Sequence, residues 1–411
     1  MSQGEVVAVE APRASLLPVF LIVLVDVFGM TLVIPLLAIY AETLGATPLQ
    51  ATLLVSVFAV CMLLSGPLIG WASDHYGRKP LLLISQIGTF IGFVVMARAS
   101  SLWMLYLARI IDGATAGNLT IAQAYIADNT PPERRAKAFG LIGIAFGAGF
   151  FIGPSLTGFL AGHYGHQAPI WLAAGMSATS ILATATLLKG GAPRQAPLAD
   201  RWAGLKWRTY AQYFARPALR PLLLQFLFFM ISFSTFISGF ALFAERRFTW
   251  NGVPFGPREI GYVFGFVGAL GIILQGLLIG RLVQRFGEVK LAAAGFASLV
   301  VGYALLGATT SNVLLIVVAV ITGFGNGVLR PALTSLVTHQ AEAEEQGTVL
   351  GITQALSSLA AICSPALAGM LIEHNMLNAW AWVSATMAAV GLGVWMRSRA
   401  VGSGEYAVGR R

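Results

Sequence analysis

Asp26 lies mid-way along an apolar run, Leu21–Leu37, that holds no other charged residue. A carboxylate at the centre of a bilayer costs about 2.5–3.5 kcal/mol on insertion scales. An acid kept at that depth suits the binding and release of a proton, which proton coupling requires. The plainer reading is a protonated acid bonded to a neighbouring helix. Arg109 and Asp112 stand three residues apart in a second apolar run, on one helical face. Either they neutralise each other as a local ion pair, or the arginine controls the protonation of a nearby acid. On the second reading Asp112 is a further proton site or a substrate acid. Arg330 precedes Pro331 in a third run. It either snorkels toward headgroups or binds an anionic part of a substrate. Gln86, Asn118, Gln123, Gln275, Asn326 and Gln354 are polar residues within apolar runs, available as glue between helices or as cavity lining. Phe228, Phe229, Phe233, Phe236 and Phe240 crowd one run. Most should face lipid or core, with Phe233 and Phe236 the candidates for an aromatic substrate pocket.

Other chemistries lack their residues. The five histidines, His75, His163, His166, His339 and His374, all fall near the ends of apolar runs. His163-x-x-His166 has no acid beside it, a weak metal signal. The chain contains no G-x-S-x-G, no phosphate-binding P-loop and no H-E-x-x-H. Cys61 and Cys363 sit inside apolar runs, so neither a disulfide framework nor a metal cluster is expected. No cofactor is expected either, and an ion gradient is the energy source that remains.

The elements that position these residues follow from composition. Of 411 residues, 57% are hydrophobic and only 10% charged, and the mean hydropathy is +0.76. A soluble domain carries about 25% charged residues. This excludes a cytosolic enzyme, a secreted scaffold and a nucleic-acid binder; the net charge of +9 is scattered in short clusters between apolar runs. Taking about 20 apolar residues per span, twelve spans are predicted: 15–40, 49–72, 80–98, 102–126, 137–161, 168–189, 219–244, 256–281, 289–308, 312–336, 346–371 and 378–396. The first is too long for a signal peptide and lacks a cleavage site, so it reads as a retained helix. With both termini cytoplasmic, twenty of the 26 Lys and Arg fall on the inner side and four on the outer. The remaining two, Arg109 and Arg330, lie within spans. That bias orients a multi-pass protein, although the acidic stretch at Glu342, Glu344 and Glu345 runs against it. The interior polar segment 190–218 carries Arg194, Arg201, Lys206, Arg208 and Arg216. With Trp202 and Trp207 it is either an amphipathic surface segment or a solvated linker. It divides the chain into units 1–189 and 219–411.

The two units echo each other. Gly70-Trp71-Ala72-Ser73-Asp74-His75-Tyr76-Gly77-Arg78-Lys79 follows span 2, and Gly280-Arg281-Leu282-Val283-Gln284-Arg285-Phe286-Gly287 follows span 8. Gly153-Pro154 and Gly158 in span 5 match Ser364-Pro365 and Gly369 in span 11. A duplicated unit implies two six-helix bundles with pseudo-two-fold symmetry facing each other across a central cavity. The first loop resembles the signature of the major facilitator superfamily. Leu102-Trp103-Met104-Leu105-Tyr106, Arg109 and Ala124-Tyr125-Ile126-Ala127-Asp128 are similar to the fourth helix of its tetracycline/proton antiporters. Gly149-x-x-x-Gly153-Pro154-x-x-Thr157-Gly158 resembles the antiporter motif of the fifth helix, with Thr157 where glycine is usual.

That resemblance implies a proton-coupled drug exporter of the bacterial inner membrane, multi-pass and working as a monomer. Asp26 and Arg109 would serve the proton step. Gly70, Asp74, Gly77, Arg78, Lys79 and Asp128 would form a conformational latch. Gly149, Gly153, Pro154 and Gly158 would carry the antiporter motif, and Asn118, Gln123, Gln354 and Arg330 would face the cavity. Two departures stand out. The tetracycline exporters have further acids in spans 3 and 9, where this chain has Gly92 and Leu299. Asp112 replaces a small residue. Tetracycline itself is therefore in doubt as a substrate, and a lipophilic drug or metabolite, neutral or cationic, fits an apolar pocket better. The alternative is a proton-coupled or passive uptake transporter for a small metabolite, neutral or anionic.

Overall fold

A computed structural model describes residues 17–130, 145, 148–149, 152–188, 207–341 and 345–408. Arg134, Arg135, Lys137, Arg194, Arg201, Lys206, Trp202, Glu342 and Glu344 lie outside the described residues, as does most of the segment joining the two units. The helices are α1 (Leu17–Thr43), α2 (Pro48–Tyr76), α3 (Arg78–Ala97), α4 (Leu102–Ala114), α5 (Asn118–Asn129), α6 (152–164) and α7 (Gln167–Leu187). A short α8 (Trp207–Ala215) follows, then α9 (Arg220–Arg247), α10 (Pro257–Ile273), α11 (Ile279–Phe286), α12 (Glu288–Ala308), α13 (Asn312–His339), α14 (Gln346–Glu373) and α15 (Leu377–Val408). One hairpin, Thr249–Trp250 with Val253–Pro254, joins α9 to α10.

Among the described residues nine helices are long and apolar enough to cross a bilayer, counting α10 to α11 as one, and a tenth is α1, bent by 47°. The bend falls between residues 33 and 36, where the sequence places a proline, which cannot donate to the helical ladder. The predicted span 4 differs from expectation. It is broken at Thr115–Gly117 into α4 and α5. Ser85 of α3 bridges the gap: its hydroxyl donates to the Thr115 carbonyl and accepts the Gly117 N–H at 2.9 Å. A side chain thereby satisfies backbone groups that have no water to turn to in a bilayer. Span 5 is described from residue 152 onward.

Local chemistry sets the ends. Thr47 and Gln50 cap the start of α2 reciprocally, with Pro48 in its first turn. α2 ends at Gly77, whose φ of 96° few side chains tolerate. Gly287, at the matching place before α12, has a φ of 74°. The repeat is thus visible in backbone geometry as well as in letters. In span 8 a π-helical turn, Leu274–Leu278, separates α10 from α11.

In the first unit α7 packs on α1 and α3, and α4 packs on α2 and α3. In the second, α12 packs on α13 and α15, and α15 on α9. The units meet where α14 lies along α2 and where α6 crosses α10. The repeat exchanges these two contacts, because span 2 corresponds to span 8 and span 5 to span 11.

Candidate functional site

The proton-step candidates lie together in the first unit. Asp26 of α1 is half-buried and accepts a hydrogen bond from Ser180 of α7 at 3.3 Å. Ser180 in turn accepts from the Gln86 amide of α3 at 2.9 Å. Asn118 stands against Asp26 as the first residue of α5, just past the helix break. Its Oδ1 is buried without a hydrogen-bond partner among the described residues.

Arg109 and Asp112, only 6% and 7% exposed, form an ion pair at 2.9 Å across one turn of α4. The guanidinium also lies 5.3 Å from the Phe58 ring centroid. Asp112 is near enough to Asp26 for the two carboxylates to repel each other when both are charged. Gly92, at the span 3 position where the resemblance expects an acid, faces Asp112 directly. A Cβ there would lie 3.1 Å from the Asp112 Cβ. The space of the missing acid is filled from the neighbouring helix. At the other expected position Leu299 is fully buried in α12.

The loop residues gather at the far end of α2. Arg78 pairs with Asp74, reaches Asp128 of α5 at 3.0 Å and donates to Ser73 at 2.6 Å. The cluster fastens the ends of α2, α3 and α5 to one another. Lys79 donates to the Ala185 carbonyl at 2.8 Å, capping the C-terminal end of α7. Among the described residues nothing lies within 4 Å of where a Gly70 Cβ would be.

The antiporter-motif glycines permit two close contacts. Gly149 and Gly153 lie against Val27 and Thr31 of α1, next to Asp26. Gly158 meets Gly261 of α10 backbone to backbone: a Cβ on Gly158 would fall 2.7 Å from the Gly261 Cα. Thr157, the departure from the motif, is fully buried and donates to the Leu32 carbonyl at 2.7 Å, beside the α1 bend. At the same end of the molecule Arg246 pairs with Glu42 at 2.6 Å and the Leu49 N–H donates to Glu373 at 3.0 Å. Slightly deeper, Ser56 donates to the Ile362 carbonyl at 2.7 Å. The Gly158–Gly261, Arg246–Glu42, Leu49–Glu373 and Ser56–Ile362 contacts join the two units at the end opposite Arg78.

A cavity of about 1000 Å³ runs along α13 from Leu315 to Thr338, about 35 Å at the helical rise. Gln123, Phe233, Phe236, Arg330 and Gln354 line it, and Pro154 contributes from α6. Three phenylalanines of α9 face it, Phe240 as well as the expected two, and Phe264 of α10 closes on Phe240 edge to face at 5.2 Å. Asn326, on the wall, donates to the Tyr303 hydroxyl at 3.1 Å. Sequence reasoning missed Ser180, Ser85 and Thr31. Serine and threonine are common in membrane helices, and nothing in their spacing sets them apart.

A sequence profile of the Major Facilitator Superfamily matches residues 19–279 and 255–405. The chain is 32% identical to the class E tetracycline resistance protein of Escherichia coli, over 88% of this chain and 89% of that one. It is 27% identical to multidrug resistance protein 2 of Bacillus subtilis, over 92% and 94% of the two chains. Among solved structures it resembles the human organic anion transporter MFSD10 (TETRAN), with a TM-score of 0.70 at 24% identity over 94% of this chain and 100% of that one.

Proposed function

The chain belongs to the major facilitator superfamily, and on that premise we propose that it is a proton-coupled exporter of lipophilic small molecules. It acts by alternating access in a bacterial inner membrane, as a monomer with both termini cytoplasmic. Residues 1–189 and 219–411 are its two bundles, joined by the basic segment 190–218. The relatives named for tetracycline and multidrug resistance support the export reading.

One observation carries it. A buried polar group of Asp26, Asn118, Ser180, Gln86, Arg109 and Asp112 lies in the first bundle, and a large aromatic cavity lies mainly in the second. Protons and substrate thus have separate places, bridged where Thr31 and Pro154 reach the cavity wall. Loading Asp26 with a proton removes a charge beside Gly149 and Gly153, the contacts by which α1 holds α6. That offers a way to bias the α6–α10 contact at the end of the molecule. On the proposed topology the units are closed on the outer side, and the cavity is loaded from the cytoplasm.

The test uses inverted membrane vesicles with an acid interior and a pH-sensitive dye, challenged in turn with tetracycline, ethidium and other lipophilic compounds. A compound that collapses the gradient with wild type and not with Asp26→Asn is the expected result. Substrate accumulation that proceeds identically with the gradient dissipated overturns the reading.

A further inference from the structure

We propose that the cavity accepts amphiphilic aromatic anions, with Arg330 holding the negative group and the phenylalanine cluster holding the ring. The inference deepens the exporter reading, because it assigns a substrate class to the same cavity.

Among the described residues that line the cavity, Arg330 is the one that is charged. Among the described residues no carboxylate pairs with Arg330 or lies close enough to offset its charge. Glu288 of α12, which reaches α13, is otherwise engaged: it accepts from Ser335 at 2.6 Å and faces His339 at 3.5 Å. Residues 138–157, which lead into the α6 wall, contain no charged side chain at all. The Arg330 side chain is exposed toward the cavity it lines, so its guanidinium is open to pair with a bound anion. A guanidinium also presents a planar fork of donors that fits carboxylate, sulfonate or phosphonate oxygens.

The walls specify the rest of the ligand. Arg330 lies one helical turn from Asn326, about 6 Å along α13. Asn326 is bonded to Tyr303, and the Tyr303 ring lies 5.0 Å from Phe236. Phe236 packs on Phe240 at 5.2 Å. The guanidinium and the rings of Phe233, Phe236 and Phe240 thus share one cavity wall, an arrangement for an aromatic compound with its charge at one end. A lipophilic cation would meet aromatic faces here, but also an uncompensated positive charge.

The test measures binding to the purified full-length protein in detergent, with no gradient, so a failure of proton coupling leaves it intact. The probes are 1-naphthalenesulfonate, its uncharged sulfonamide, and tetraphenylphosphonium. In wild type the sulfonate should bind at least about tenfold more tightly than the sulfonamide, and tetraphenylphosphonium more weakly than either. Arg330→Gln should bring sulfonate affinity down to that of the sulfonamide and strengthen cation binding, while Arg330→Lys keeps most of the preference. Equal binding of sulfonate and sulfonamide by wild type overturns the proposal without any variant. So does a sulfonate preference that survives in Arg330→Gln.

Discussion

Asp112 occupies the volume that Gly92 leaves open: a Cβ added to Gly92 would sit 3.1 Å from the Asp112 Cβ and 3.2 Å from the Ala108 carbonyl. Arg109 finds its acid on its own helix, at 2.9 Å, and the carboxylate stands on α4 rather than at the span 3 position where the resemblance expects one.

The swap can be reversed. Asp112→Gly leaves Arg109 buried without its partner, a change that costs about 3–5 kcal/mol in comparable sites. Gly92→Asp alone forces two acids into one space. Each single variant is expected to lower thermal stability in detergent and to abolish substrate-driven proton movement. The double variant Gly92→Asp/Asp112→Gly should recover a measurable part of both. Recovery of stability without proton movement would show that Asp112 serves packing alone.

Asp26→Asn keeps the size of the side chain and its contact with Ser180 but removes the exchangeable proton. The expected outcome is a protein that still binds substrate with wild-type affinity. Downhill exchange should persist, with substrate flux no longer responding to a pH gradient. Equilibrium binding and gradient-driven flux in proteoliposomes separate the two. A flux that still follows the gradient would place the proton site elsewhere.

Arg78 holds Asp74, Asp128 and Ser73 at once. The cluster is partly exposed, so each pair contributes little by itself, about 0.2–1 kcal/mol for exposed pairs. Its combined effect on the balance of conformers is what matters. Arg78→Ala is expected to shift that balance by about 1.4 kcal/mol, a factor of ten, with small loss of expression. Spin-label distances across the Arg78 end, compared between wild type and variant, check it.

Much of this arrangement was legible in the chain. Asp26, Arg109 and Asp112 interrupt apolar runs, and an ionisable residue at bilayer depth is conspicuous for the same reason it is costly. The repeat of Gly77 at Gly287 was visible because a positive φ leaves little choice but glycine. The break in span 4 was not visible. Thr115, Ala116 and Gly117 carry no strong stop signal, and what stabilises the break is Ser85, thirty-two residues away from Gly117. The partners of Asp26 were hidden because a contact between α1 and α7 has no sequence periodicity to reveal it.

The contact of Gly158 with Gly261 makes the sharpest demand on the fold. Each glycine lies so close to the other's backbone that any side chain must move a helix. Extra volume in a packed interior costs about 1–3 kcal/mol, here charged entirely against the conformer in which this end is closed. Gly158→Leu should therefore pry α6 from α10 and, because both contacts close the same end, loosen the α2–α14 seam, where buried Ser56 donates to the Ile362 carbonyl. In a Cys61→Ser/Cys363→Ser background, a cysteine placed by Ser56→Cys reports this directly. Its maleimide labelling in membranes should rise several-fold when Gly158→Leu is added, and less with Gly158→Ala. Transport should fall in the same order, because a conformer that cannot close at this end cannot complete the cycle. Unchanged labelling with lost transport would mean that α2 and α14 hold this end closed by themselves, through the Glu373 and Ser56 hydrogen bonds, and that the glycine pair governs a later step.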